Sequence, residues 1–138
     1  MLFADSSKHF NMSWQGYVDT NLVGTGHVSK AAILGSDGSI WAKSADFNIS
    51  ATEAQKIAKD LPIADAIRSA GVTVGEVKYM CLRADGSFVY AKKKDCGGMC
   101  IVKCTQCILI GMYAEGAQAG SCNDVVEKLG DYLKGAGY

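Results

Sequence analysis

The sequence lacks an excess of charge of either sign, since its 138 residues carry 14 basic and 14 acidic side chains. Nucleic-acid-binding proteins usually have a basic excess, because phosphate contacts supply much of their affinity, so this class is disfavoured. No apolar run approaches the ~20 residues that a transmembrane helix needs, and none near the first residue is long enough for a secretory signal. We therefore expect an intracellular protein whose six cysteines are reduced thiols.

The sequence also lacks the residue patterns of common active sites. Its histidines, His9 and His27, have no nearby serine, cysteine or carboxylate pair that would indicate a catalytic group. No glycine-rich phosphate-binding loop is present. We therefore predict a binding protein rather than an enzyme, with no cofactor.

The composition, 49% hydrophobic and 20% charged, is typical of one globular domain. Residues 1–11 show no clear hydrophobic period, and we interpret them as a leader or natural extension. Met12 is then an alternative start, and residues 12–138 are predicted to form a single domain.

Helices are predicted at 13–23, 50–60, 63–70 and 120–134. Ser50 and Glu53 have the spacing of a capping box. The last helix has an apolar stripe at helical spacing, made of Cys122, Val125, Val126, Leu129 and Leu133.

Six strands are predicted at 31–35, 39–43, 77–83, 87–92, 99–103 and 107–113. Asp37-Gly38 and Asp85-Gly86 lie between apolar runs, a strong hairpin signal, because glycine accepts positive φ without steric cost. With helices at both ends of the chain and no long alternation of strand and helix, the pattern predicts an antiparallel sheet packed by helices, an α+β domain.

Aromatic residues are concentrated at the two ends of the chain and on one strand. If the terminal helices lie side by side, five rings meet in a shallow aromatic groove: Trp14, Tyr17, Trp41, Tyr132 and Tyr138. Such a groove suits proline-rich ligands, since the polyproline II helix is already stiff and proline rings pack flat on indole and phenol faces. The alternative is ordinary core packing, which rings at helical spacing often serve.

Four segments resemble the profilin family: residues 12–19 (MSWQGYVD), 39–42 (SIWA), 78–80 (KYM) and 122–133 (CNDVVEKLGDYL). The resemblance covers residues 12–138. It implies an α+β fold in which an antiparallel sheet is sandwiched between the N- and C-terminal helices on one face and a smaller helical layer on the other. It also implies a cytoplasmic, cytoskeletal protein that binds monomeric actin, speeds its nucleotide exchange, and brings it to proline-rich proteins such as formins.

The resemblance also implies two binding sites. A polyproline site falls on Trp14, Tyr17, Trp41, Tyr132, Leu133 and Tyr138. An actin site falls on Lys78, Arg83, Lys93, Gly120, Asn123 and Lys128. Lys78 and Arg83 have opposite parity, so an unbroken strand would point them to opposite faces, although Arg83 lies next to a turn.

The basic run Lys92, Lys93 and Lys94 is a candidate site for anionic lipid head groups. Profilins bind phosphatidylinositol phosphates, so the resemblance favours this assignment. The alternative is a solvated run that blunts a sheet edge.

Four cysteines in twelve residues suggest a rival function, a thiol-rich metal-binding or redox module: Cys96, Cys100, Cys104 and Cys107. Only the last two have the C-x-x-C spacing that structural zinc prefers, so buried or surface thiols are favoured over a metal site. A scaffold that binds a small molecule in a buried pocket remains a third alternative.

Overall fold

The computed structural model describes residues 13–138 of the protein. The predicted extension at residues 1–11, which includes His9, and the alternative start Met12 lie outside the described residues.

The centre of the fold is a seven-stranded sheet with the order β2-β1-β7-β6-β5-β4-β3, and every neighbouring pair is antiparallel. Its strands are β1 (Lys30–Gly35), β2 (Ile40–Lys43), β3 (Val72–Val74), β4 (Val77–Ala84), β5 (Phe88–Lys93), β6 (Gly97–Lys103) and β7 (Cys107–Tyr113). The six predicted strands are all present. Strand β3 was not predicted, because three residues are too few to show a period.

Both Asp-Gly turns form as predicted. Gly38 and Gly86 have φ of 90° and 94°, values that only glycine adopts without strain. In the first turn the Asp37 carboxylate accepts hydrogen bonds from the Ser39 N–H (3.0 Å) and hydroxyl (2.7 Å). Asp85 and Ser87 repeat these two contacts in the second turn, at 2.9 and 2.8 Å.

The helices are α1 (Trp14–Gly16), α2 (Ala51–Asp60), α3 (Ala64–Ala70) and α4 (Ala119–Gly135). The chain continues from α1 into a π-helical segment, Tyr17–Leu22, and a 3₁₀ turn, Val23–Thr25. The uniform α-helix predicted for 13–23 is therefore wrong, both in its regularity and in its end at residue 23. Gly26 ends the segment instead, because it adopts the left-handed conformation and donates its N–H to the Val23 carbonyl at 3.1 Å.

The sheet separates two layers of buried side chains. Ala32 and Leu34 of β1 face the side covered by α2 and α3, whereas Ala31 and Ile33 face α1 and α4. Every residue of β7 is buried, because helices cover both faces of the central strands. The predicted α+β sandwich is confirmed. No helix within residues 13–138 combines the length and hydropathy needed to cross a bilayer.

Glu53 joins the second helical layer to the sheet. The capping box is confirmed, since the Ser50 hydroxyl accepts the Glu53 N–H and the Glu53 carboxylate accepts the Ser50 N–H, both at 3.1 Å. The same carboxylate accepts the N–H groups of Gly75 and Glu76 at 2.8 Å, in the turn between β3 and β4. Burial would raise the pKa of Glu53, but these donors outweigh it and hold the pKa below its usual value.

Candidate functional site

Trp14 is the centre of an aromatic cluster, which we define as Trp14, Tyr17, Trp41, Tyr132 and Tyr138. Its ring centroid lies 4.8 Å from that of Trp41, 5.1 Å from Tyr138 and 5.7 Å from Tyr17. Tyr138 meets it edge-on, at an interplanar angle of 88°. Trp41 and Tyr138 are 37% and 42% exposed, so the cluster is a surface feature and not a sealed core.

Tyr132 completes the cluster through Tyr17. The two phenols share a hydrogen bond, which joins α4 to the segment that follows α1. Burial, followed by the interaction with Tyr132, raises the pKa of Tyr17 to about 12. Tyr17 lies in the π-helical segment, a conformation that is rare and often found at functional sites.

Local hydrogen bonds fix the positions of the two indoles. The Ser13 hydroxyl accepts the Gly16 N–H at 3.1 Å and caps α1. The Gln15 amide donates to the Lys43 carbonyl at 2.9 Å, which anchors α1 to the strand that carries Trp41. A Cβ atom at Gly35 would lie 2.8 Å from the Trp41 indole nitrogen, so glycine at this position lets the indole approach the backbone of β1.

Leu133 is the exception among the residues assigned to the polyproline site. Its side chain is 1% exposed and packs in the core between α4 and the sheet. The i, i+4, i+7 and i+11 pattern starting at Cys122 placed it on the buried stripe, whereas the resemblance placed it in the site. The structure places the Leu133 side chain on the buried stripe, where it packs in the same core cluster as Trp14, Tyr17 and Tyr132.

A titration can test the environment of Tyr17. Because its folded-state pKa of about 12 lies above the ~10 of an unfolded phenol, its contribution to stability is complete below pH ~10. That contribution is lost as pH rises from there towards the folded-state value. We expect the stability advantage of the wild type over Tyr17→Phe to shrink across this interval, as measured by denaturant unfolding. Parallel stability curves for the two proteins would contradict this environment.

A second surface lies on β4 and β5, on the side of the sheet that faces α1 and α4. Lys78 and Arg83 would point to opposite faces of an unbroken strand, but the pairing of β4 with β5 is not continuous. Met80 pairs with Lys92 and Arg83 pairs with Tyr90. The register shifts between Cys81 and Arg83. Leu82 is the extra residue of this bulge. The bulge moves Arg83 onto the same face as Lys78, as extra residues in strands do.

Aromatic contacts connect this surface to α4. The Arg83 guanidinium carbon lies 5.9 Å from the Phe88 ring centre, and the Phe88 and Tyr90 rings lie 4.8 Å apart. The Tyr90 hydroxyl donates to the Glu127 carboxylate. This hydrogen bond is the main cause that raises the pKa of Tyr90 to about 12. We call Lys78, Met80, Leu82, Arg83, Phe88 and Tyr90 the outer sheet face.

The three residues of α4 assigned to actin binding divide between two sides of the helix. Gly120 lies two turns before Glu127 and Asn123 lies one turn before it, so they share the flank of α4 that meets β5. Lys128 instead lines a pocket with Asn21 and Thr25, towards the N-terminal helical segment. The structure therefore brings Lys78, Arg83, Gly120 and Asn123 to one side of the protein and places Lys128 away from them.

The lysine run borders the outer sheet face. Lys92, Lys93 and Lys94 line a shallow depression of ≈ 640 Å³ together with Lys78. Met80 and Leu82 line it too and are 69% and 59% exposed. These two apolar residues were not predicted to belong to a site. The alternation along β4 could have indicated their exposure, because the alternate residues Tyr79 and Cys81 face the core.

The four clustered thiols differ in their exposure. Cys96 is exposed, whereas Cys100, Cys104 and Cys107 are buried. Cys104 and Cys107 share a hydrogen bond, which lowers the pKa of Cys104 and raises that of Cys107. Within residues 13–138, no three cysteine, histidine or acidic side chains form a group that could hold a metal ion. The metal-binding alternative therefore finds no support in the geometry.

A small pocket lies on the opposite side of the sheet. It has a volume of ≈ 190 Å³ and is lined by residues of α2, α3 and β3, among them Ile57, Ile67 and Thr73. Sites for drug-sized ligands usually measure about 300–1,000 Å³. This pocket is therefore smaller than the usual site for a drug-sized ligand.

Comparisons with known proteins agree with this architecture. The family model described as Profilin matches residues 12–138. The chain is 50% identical to profilin-1A of Acanthamoeba castellanii over 127 residues, which are 92% of this chain and all of that protein. Acanthamoeba castellanii profilin IB superposes with a TM-score of 0.86 at 49% identity, covering 91% of this chain and all of that one.

A more distant solved structure shares the fold. Mouse profilin IIa, solved in complex with a double repeat from the FH1 domain of mDia1, has a TM-score of 0.70 at 22% identity. The match covers 91% of this chain and 99% of that one. The family model and the 50%-identical relative, each matching nearly the whole length, establish that the chain belongs to the profilin family.

Proposed function

We propose that the protein binds proline-rich peptides through the aromatic cluster and monomeric actin through the outer sheet face, and that it regulates actin nucleotide exchange and polymerisation. Both roles are binding roles and need no catalytic group. The observation that carries the proposal is the contact of Trp14 with Tyr17, Trp41 and Tyr138, two of them well exposed. It supports a preformed surface for a stiff apolar ligand.

A polyproline II helix matches this surface chemically. Proline rings stack on exposed indole and phenol faces, while the free carbonyls of the ligand accept hydrogen bonds from Trp N–H and Tyr O–H groups. The ligand is extended before it binds, so association costs little chain entropy. The distant relative solved with an FH1 repeat supports partners of the formin type.

The outer sheet face has the features of a protein–protein interface. Exposed apolar side chains, Met80 and Leu82, lie between basic residues, and Arg83 is stacked near an aromatic ring. Interfaces are enriched in methionine, aromatic residues and arginine. A partner with acidic patches, as expected of actin, would complement Lys78 and Arg83. Lys93 borders this face, and Gly120 and Asn123 extend it along α4. We leave Lys128 outside it.

We also propose that Lys92, Lys93 and Lys94 attract phosphatidylinositol phosphates. Each basic residue near an anionic membrane contributes about 1 kcal/mol. The three side chains are exposed and line one depression with Lys78, so lipid and actin would compete for this region. These proposed partners are consistent with a protein located in the cytoplasm and at the cytoskeleton.

The groove function can be tested with the intact protein. A proline decamer should bind and change indole fluorescence, because Trp14 and Trp41 would both touch it. A peptide in which alternate prolines are replaced by glycine has the same length without the stiff helix, and it should bind much more weakly. Equal affinity for the two peptides, or no binding of either, would refute the proline-binding function.

The actin function can be tested by charge reversal. We expect Arg83→Glu to weaken binding to actin monomers roughly 10- to 100-fold, about 1.4–2.8 kcal/mol, because arginine is enriched among the interface residues that contribute most to binding. Acceleration of nucleotide exchange should fall in parallel. Lys59→Glu makes a similar change on an exposed residue of α2, across the sheet, and should leave actin binding intact. Equal losses in both variants would assign the effect to net charge and contradict the proposed face.

A further inference from the structure

The turn between β6 and β7 reaches the aromatic cluster without contributing a ring to it. Residues 104–107 form this turn, which closes through a 2.8 Å hydrogen bond from the Cys104 N–H to the Cys107 carbonyl. Gln106 is exposed at its tip. Its backbone N–H donates to the Tyr138 carbonyl, and its side-chain amide donates to the Gly137 carbonyl at 2.6 Å.

Two further hydrogen bonds tie Gly137 and Tyr138 to the end of α4. Helix α4 ends at Gly135, the Gly137 N–H donates to the Lys134 carbonyl at 3.1 Å, and the Tyr138 N–H donates to the Leu133 carbonyl at 2.8 Å. Gly137 has φ of 97°, and a Cβ atom placed there would meet nothing within 4 Å. Glycine has high conformational freedom, so the hydrogen bonds from Gln106 add to these two bonds in defining where the Tyr138 ring lies.

We propose that Gln106 is a positioning residue of the aromatic cluster: its two hydrogen bonds hold residues 137–138 so that Tyr138 stays edge-on to Trp14. This inference rests on the proposed binding of proline-rich peptides. Gln106 acts through Tyr138, because it presents a preformed ring to the ligand. Without the hydrogen bonds from Gln106, the ligand would have to order residues 137–138 when it binds. The entropy cost of ordering flexible groups reduces affinity.

We expect Gln106→Ala to raise the Kd for a proline decamer three- to tenfold. This change in binding free energy corresponds to the loss of about one hydrogen bond. Gln106→Glu should weaken binding to a similar degree, since it keeps the length of the side chain but replaces the N–H donor with an acceptor. Thr105→Ala, an exposed neighbour in the same turn, serves as the control and should bind like the wild type. All variants should keep the wild-type melting temperature within a few degrees.

Two further measurements separate positioning from a general structural effect. In a Tyr138→Ala background, adding Gln106→Ala should cost nothing more, because the ring that it positions is gone. In the free protein, NMR cross-peaks between the Trp14 and Tyr138 rings should weaken in Gln106→Ala and persist in Thr105→Ala.

The outcomes distinguish this inference from the function on which it rests. If the cross-peaks weaken but neither wild type nor variants bind the decamer, the positioning role stands and the proline-binding function fails. The inference is overturned if the wild type and Gln106→Ala bind the decamer equally well. It is also overturned if the affinity losses of Gln106→Ala and Tyr138→Ala add fully in the double variant. Unchanged cross-peaks in Gln106→Ala would overturn it regardless of affinity.

Discussion

Replacing Trp14 with alanine should weaken binding of a proline decamer by about 2–4 kcal/mol, roughly 30- to 1,000-fold in Kd. Trp14 contacts Tyr17, Trp41 and Tyr138, so its removal takes away one ligand-facing indole and the packing partner of three other rings. Buried central aromatics surrounded by others are where interface energy concentrates. Isothermal calorimetry or indole fluorescence of Trp41 can measure the loss.

The controls must separate loss of the ligand surface from loss of the fold. Phe88→Ala removes a half-buried ring from the outer sheet face, so it should leave decamer affinity unchanged. Trp14→Phe keeps a flat ring and should recover most of the affinity. If Trp14→Ala binds the decamer within threefold of the wild type while remaining folded, the aromatic cluster is not the proline site.

Replacing Gly97 with alanine should lower the free energy of unfolding by about 3–5 kcal/mol, a loss at the upper end of single substitutions. Gly97 begins β6 with φ of 80°, and a Cβ atom there would lie 2.0 Å from the Tyr113 carbonyl oxygen. The clash is with the backbone of β7, so no side-chain rotation relieves it. Relief requires the edge of the β6–β7 pair to open.

Gly116→Ala is the matched control for Gly97→Ala. Gly116 has a similar φ of 89°, but nothing lies within 4 Å of a Cβ atom placed there. Its substitution should therefore cost only the intrinsic penalty of the left-handed region, about 1–2 kcal/mol. Urea unfolding of both variants measures the difference. Equal losses would mean that the clash is absorbed by backbone movement and that the β6–β7 edge is not rigid.

Features encoded by local chemistry were predictable from the sequence. Asp37-Gly38 and Asp85-Gly86 each specify a tight turn, and Ser50 with Glu53 specifies a helix start, because every participant lies within four residues. The convergence of Trp14, Tyr17, Trp41, Tyr132 and Tyr138 was predicted from the grouping of rings and from the family resemblance, and the structure places these rings together.

Features that depend on distant partners were not predictable. The bulge at Leu82 is defined by the register against β5, and a single strand's sequence does not reveal a one-residue shift in pairing. Gln106 meets residues 31 positions away, and no local pattern marks that contact. The burial of Leu133 was predictable, because the period of the helix reports which side chains face the core.

Helix α4 carries parts of both proposed surfaces, with Asn123 near one end and Tyr132 near the other. At a rise of about 1.5 Å per residue, these two positions lie roughly 14 Å apart along one rigid rod. Consider a partner protein that has a proline run and, on a flexible tether, a binding site for actin. Once the proline run is bound to the aromatic cluster, the actin-binding site of the partner would meet the bound actin at millimolar effective concentration. In that setting the spacing between the two sites would determine which tether lengths work best.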